Sequence, residues 1–181
     1  MKWILLGLLV PATALALDNV FVRVTRDEAP CSAMELSDCG DRVIVALDNI
    51  KFFVGTSQLL LRRGDVEFIP AGRKYQSPLM GSFIEVNIKP YHPPALAPSE
   101  TIAPEKNSLL FDERDFFVFE EKLAPGDTRA RHSHSQRVVI QLNKALLKQW
   151  PDGESEKTVE TVPDQALFSP PVVHVVENIG Q

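Results

Sequence analysis

From Val20 onward the chain is a succession of short apolar runs separated by glycine, proline, aspartate and asparagine. VIVAL (43–47), KFFV (51–54), QLLLR (58–62), VEFIP (66–70) and SFIEVNI (82–88) fill the first half. FFVFEEKL (116–123), VVIQL (138–142), LLKQW (146–150), TVETV (158–162) and ALFSP (166–170) fill the second. The runs are rich in Val, Ile and Phe, and no stretch carries the 3.6-residue period of an amphipathic helix. Short β-branched runs at close intervals with turn residues between them predict antiparallel strands packed as small barrels or sandwiches.

The pattern also repeats. DRVIVALDN, starting at Asp41, aligns with QRVVIQLNK, starting at Gln136, 95 positions later. GDVEFIPAGRKY, starting at Gly64, aligns with PDQALFSPPVVH, starting at Pro163, at an offset of 99. The extra residues fit a longer hairpin turn around WPDGES. An internal duplication predicts two tandem small antiparallel β-barrels. The divisions expected are 1–16 as a leader, 17–90 as an N-terminal domain, 91–108 as a proline-rich linker and 109–181 as a C-terminal domain. His92 lies in that linker and reads as a solvated residue. After Gly81 the first half continues into SFIEVNIKP, a strand that should close its barrel. The matching point of the second half is Gly180, so the second barrel is expected to lack its last strand and to leave a sheet edge to be covered.

The remaining composition narrows the setting. Lys2, the apolar WILLGLLV and the small-residue stretch ATALA read as a secretory signal peptide cut after Ala16. The apolar core is too short to span a bilayer, and no later run is long enough. Export to the periplasm or outside the cell implies an oxidising compartment, where Cys31 and Cys39 form a candidate disulfide. The net charge of −5 comes without a basic cluster. That argues against nucleic acid or an anionic membrane as partner, and favours a small-molecule ligand. A homo-oligomer is left open.

Three histidines carry the candidate chemistry. In RARHSHSQRVV, His132 and His134 stand two apart, so on a strand they share a face with Gln136. Their neighbours Arg129 and Arg131 fall at alternate positions and are expected to point outward. Gly126, five residues and then His-x-His resemble the first motif of the cupin superfamily, whose glutamate slot falls here on Val138 or Val139. His174 and Asn178 match the histidine and asparagine of the second cupin motif. Gly64, Pro70 and Gly72 match its turn residues in the first half, where Tyr75 and Leu79 replace the ligand positions. The chain is thus similar to a two-domain cupin (a bicupin of the double-stranded β-helix type) over nearly all of its exported length.

The resemblance implies one divalent metal, Fe(II), Zn(II), Mn(II) or Ni(II), held by His132, His134 and His174. Gln136 is a weak or outer ligand, or an ordinary polar strand residue. Three neutral imidazoles without a carboxylate leave the ion's charge uncompensated, which favours an anionic or chelating ligand. The reaction classes left open are oxygenase, isomerase and hydrolase. The alternative is a non-catalytic small-molecule-binding or structural cupin. Arg42 and Arg137, matched across the halves, read as structural, for instance in cross-strand salt bridges. Tyr75 reads as a core or rim aromatic, and Asn178 as a residue that fixes a turn.

Overall fold

The structure is a computed structural model. It describes residues 17–29, 39–76, 80–89, 107–114 and 116–180. The signal-peptide, His92 and Cys31 expectations therefore fall outside the described residues. All regular structure among the described residues is β.

The first half contains β1 (Leu17–Asp18), β2 (Val22–Arg26), β3 (Arg42–Ala46), β4 (Ile50–Val54), β5 (Ser57–Leu61), β6 (Val66–Ile69), β7 (Tyr75–Gln76) and β8 (Phe83–Ile88). They form an antiparallel sheet in the order β1-β2-β8-β3-β6 and a second sheet in the order β5-β4-β7. The second half contains β9 (Asn107–Asp112), β10 (Phe117–Glu121), β11 (Thr128–His134), β12 (Arg137–Gln141), β13 (Leu146–Pro151), β14 (Lys157–Glu160), β15 (Gln165–Ser169) and β16 (Val172–Asn178). Here the sheets are β10-β9, β12-β15 and β11-β16-β13-β14.

The unbroken apolar run of β3 is explained by burial on both faces. Side chains alternate along a strand, so Ile44 and Ala46 face one way, and Val43 and Val45 the other. Ile44 and Ala46 join Phe83 in packing against Ile50, Phe52, Val54 and Tyr75 of the second sheet, with Cys39 and Ile69 completing the cluster. Val43 and Val45 lie with Val24, Leu47, Ile84, Val86, Ile88 and Ala166, and Phe116, Val118, Val138, Ile140 and Leu142 pack against them from the second half. Each fully buried aliphatic side chain of this kind contributes about 1.5–3 kcal/mol. The first half thus has its own interior, and its outer sheet face is the seam with the second.

A polar clamp fixes that seam. The Arg63 guanidinium donates to the Leu47 and Leu142 carbonyls, one in each half, and its Nη2 lies 2.6 Å from Asp164 Oδ1. Arg26 approaches Asp164 from the first half as well. Asp164 adopts a positive φ of 63°, a conformation that aspartate tolerates better than most residues.

β4 pairs with β5 and β7, and β13 pairs with β14 and β16. β3 has β6 on one side and β8 on the other. Its counterpart β12 pairs, among the described residues, with β15 alone. In the second half, the buried aliphatic and aromatic side chains among the described residues are Pro151, Ala166 and Val176, while Leu167 of β15 is 41% exposed.

Candidate metal centre

β11 and β16 are neighbours, and the register sets His132 directly opposite His174. Directly opposed side chains on one face sit about 5 Å apart at Cβ, and His134, two residues along β11, completes a triangle. Ring centroids lie 4.6 Å apart for His132 and His134, 4.7 Å for His132 and His174, and 5.3 Å for His134 and His174. One ring nitrogen from each falls within 4.8 Å of the others.

The hydrogen bonding leaves these nitrogens free to bind. His132 Nδ1 donates to the Ala130 carbonyl at 2.8 Å, so in the neutral ring Nε2 keeps its lone pair. That Nε2 faces His134 Nε2 at 2.8 Å. Two imidazole nitrogens this close need a proton or a cation between them. His174 is 4% exposed, and neither of its ring nitrogens has a hydrogen-bond partner. A buried polar group of this kind ordinarily finds a partner. Nitrogens bound to one ion at about 2.0–2.1 Å sit roughly 3 Å apart, so the donor set fits a transition metal.

Burial holds all three rings neutral at pH 7. It pushes the His134 pKa down from the usual histidine range to about 3 and that of His174 to about 4, with Arg137 and Arg129 adding to the effect. His132 is lowered for the same main reason. A neutral imidazole is the form that ligates metal.

The surroundings differ from the expectation in one informative way. Arg131 points outward and pairs with Asp152, as alternation predicts. Arg129 does not. It is 3% exposed and ion-pairs with Glu121 of β10 at 2.5 Å. The cause is a register shift in β11 between Arg129 and His132, which places Arg129 opposite Val176 while His132 stays opposite His174. A bulge of this kind inserts an extra residue and breaks the two-residue alternation. Arg129 therefore lies on the same inner side as the histidines.

Arg137, on the inner face of β12, is half-buried. It takes part in no salt bridge among the described residues. Its Nη1 instead donates weakly to the Pro170 and Ser135 carbonyls at 3.3 and 3.4 Å. Its counterpart Arg42 is 0% exposed and uses Nη2 to hold the Pro70 and Arg73 carbonyls, both at 2.8 Å. Both arginines organise backbone in place of the salt bridges expected of them.

Phe119 of β10 stacks parallel to the His134 ring at 6.5 Å, giving the site an apolar wall. Neither Phe119 nor Glu121 was singled out by the sequence pattern. Gln136 lies in the short turn between β11 and β12, where strand alternation has already ended. Asn178 Nδ2 donates to the Leu123 carbonyl and Oδ1 accepts from the Gly180 amide, so it fixes the chain as expected. Tyr75 is a core residue whose hydroxyl donates to Glu85. Cys39 is disulfide-bonded and buried in the first core.

Among solved structures, the cupin 2 conserved barrel domain protein from Leptotrichia buccalis superposes with a TM-score of 0.56 at 18% identity, covering 92% of this chain and 83% of that one. The fold is a cupin barrel. AerE from Microcystis aeruginosa is also similar, with a TM-score of 0.48 and 15% identity, covering 92% of this chain and 91% of that one. No family model matches the chain, and no curated protein matches it. Within the cupin fold, the three histidines lie on adjacent strands of the most extensively paired sheet of the second half.

Proposed function

We propose that this cupin binds one divalent transition metal through His132, His134 and His174, and that the ion's remaining positions take a small molecule. The observation that carries this reading is His174: a fully enclosed imidazole with two unpartnered nitrogens, set against two other imidazoles whose Nε2 atoms converge. Such an ion would supply Lewis-acid polarisation, or electron transfer if it is redox-active. The chain's own contribution is to hold three neutral donors at a fixed spacing, to wall them with Phe119, and to surround them with Arg129 and Arg137. Turnover of the ligand by oxygenase, isomerase or hydrolase chemistry belongs to the same proposal. Stable binding without turnover is the alternative.

We further infer a duplicated barrel in which the second copy carries the ligands, supported by the aligned segments and the like pairing of β4 and β13. Export to the periplasm or outside the cell is supported by the Met1–Ala16 pattern and by the Cys39 disulfide, since such bonds persist in oxidising compartments. The metal reading is tested by titrating chelator-treated protein with Co(II) and following its visible absorption. The wild type should bind about one equivalent, and His174→Ala should weaken binding by at least about 100-fold. Equal affinity of the two proteins would remove the three-histidine site.

A further inference from the structure

β11 carries one residue more than the strand opposite it, and the excess falls at the edge of the histidine cluster. Between the pairs Arg129↔Val176 and His132↔His174, two residues, Ala130 and Arg131, face one, Val175. Ala130 and Arg131 are exposed, while Arg129 and His132 on either side of them are buried. In a regular strand the carbonyls lie in the plane of the sheet and the side chains stand across it, so a side chain is poorly placed to bond the carbonyl two residues back. A bulge breaks the ladder locally and re-aims what it carries. Here His132 Nδ1 lies 2.8 Å from the Ala130 oxygen, an acceptor inside the bulge. His174 supplies the contrast. It stands on β16, whose pairing with β13 runs without a shift, and neither of its ring nitrogens has a hydrogen-bond partner. The bulge is held from both faces. Arg129 pairs inward with Glu121. On the outside, Arg131 Nε donates to both Asp152 carboxylate oxygens at 3.1 Å, and the Asp152 amide donates to the Val173 carbonyl of β16 at 2.8 Å.

We propose that the extra residue of β11 is a positioning element of the metal centre: it turns the Ala130 carbonyl to His132 Nδ1, fixes that ring, and makes Nε2 its ligating nitrogen. A ligating histidine is oriented by the acceptor its other nitrogen finds, and losing that acceptor ordinarily costs about 10–100-fold in metal affinity. Nδ1 donating to Ala130 leaves the Nε2 lone pair free, and Nε2 is the atom that faces His134 Nε2. The inference rests on the metal reading for what Nε2 binds, whereas the orientation of His132 is a property of the metal-free protein as well. Taking one residue out of the bulge restores simple alternation and leaves Arg129, His132 and His134 on the inner side. Deletion of Arg131 therefore separates the role of the carbonyl from the placement of the histidines.

The test reads the imidazole tautomer by long-range proton–nitrogen NMR of the metal-free protein, with His132 assigned through His132→Gln, and Co(II) affinity by titration. In the wild type His132 should carry its proton on Nδ1. Deletion of Arg131 should shift His132 toward the Nε2-protonated form and weaken Co(II) binding by about 10–100-fold. Arg131→Ala keeps the bulge and loses only a surface ion pair, so its Co(II) affinity should change by less than about threefold. A wild-type His132 protonated on Nε2, or a folded deletion variant that binds Co(II) as tightly as the wild type, would overturn the proposal. If the deletion variant does not fold, the wild-type tautomer decides. If the wild type takes up no Co(II), the metal reading fails, and the tautomers of wild type and deletion variant decide the role of the bulge: a shift on deletion retains it, and unchanged tautomers remove it.

Discussion

Glu121→Gln isolates the electrostatics that the β11 bulge imposes on the site. The substitution keeps the shape of the side chain and removes the charge that pairs with Arg129 among the described residues. The Arg129 side chain is 2% exposed and Glu121 is 31% exposed, with 2.5 Å between the paired atoms. Stranding one member of a buried pair costs about 3–5 kcal/mol. The exposure of Glu121 lets water relieve part of that, so about 2–3 kcal/mol is expected. For a chain of this size that is a fall in Tm of roughly 5–10 °C. Removing both charges in Glu121→Gln/Arg129→Met should recover most of the loss, because Arg129→Met takes away the buried charge that Glu121→Gln leaves without its partner. The assay is urea unfolding of the four proteins of the cycle, all metal-free, followed by circular dichroism. A loss below about 0.5 kcal/mol for Glu121→Gln, or a double variant less stable than the single one, would refute an inward Arg129 held by Glu121.

Other consequences can be measured on the same preparations. In metal-free protein, the folded histidines titrate near 3 and 4 for His134 and His174, whereas unfolded histidine titrates near 6.5. Between those values the unfolded state binds more protons, so stability should fall as pH drops from about 6.5 toward 4, and His134→Phe should flatten that slope in urea midpoints measured across the range. Gly81→Ala should lower stability by at least about 1–2 kcal/mol in the same unfolding assay. Gly81 has φ 82°, and a Cβ there would meet the Asn49 carbonyl oxygen at 2.6 Å. Reducing the Cys39 disulfide with dithiothreitol should cost about 2–4 kcal/mol, seen as a lower Tm against an unreduced control.

The strands were legible because their apolar runs are short, β-branched and bounded by turn residues, and the family resemblance assigned the three histidines before any geometry was known. Alternation on β11 correctly turned His132 and His134 to one face and Arg131 to the other. It failed for Arg129 because a bulge is a matter of pairing register, and nothing in TRARHSH announces one. The apposition of His132 and His174 was likewise hidden, since register between strands forty residues apart depends on the whole sheet. Glu121 and Phe119 could not be placed from sequence for the same reason: their roles exist only because side chains of β10 reach Arg129 and His134 of β11. The structural reading of Arg42 and Arg137 anticipated a role in holding the fold, but carbonyl acceptors, which every residue carries, leave no mark in a sequence.

The most direct test of the account is elemental analysis of the purified protein after expression with iron, zinc and manganese all supplied. The account predicts about one transition-metal ion per chain in the wild type, and metal near background in His132→Ala and His174→Ala. A wild type free of stoichiometric metal, or alanine variants that retain the wild-type amount, would contradict it.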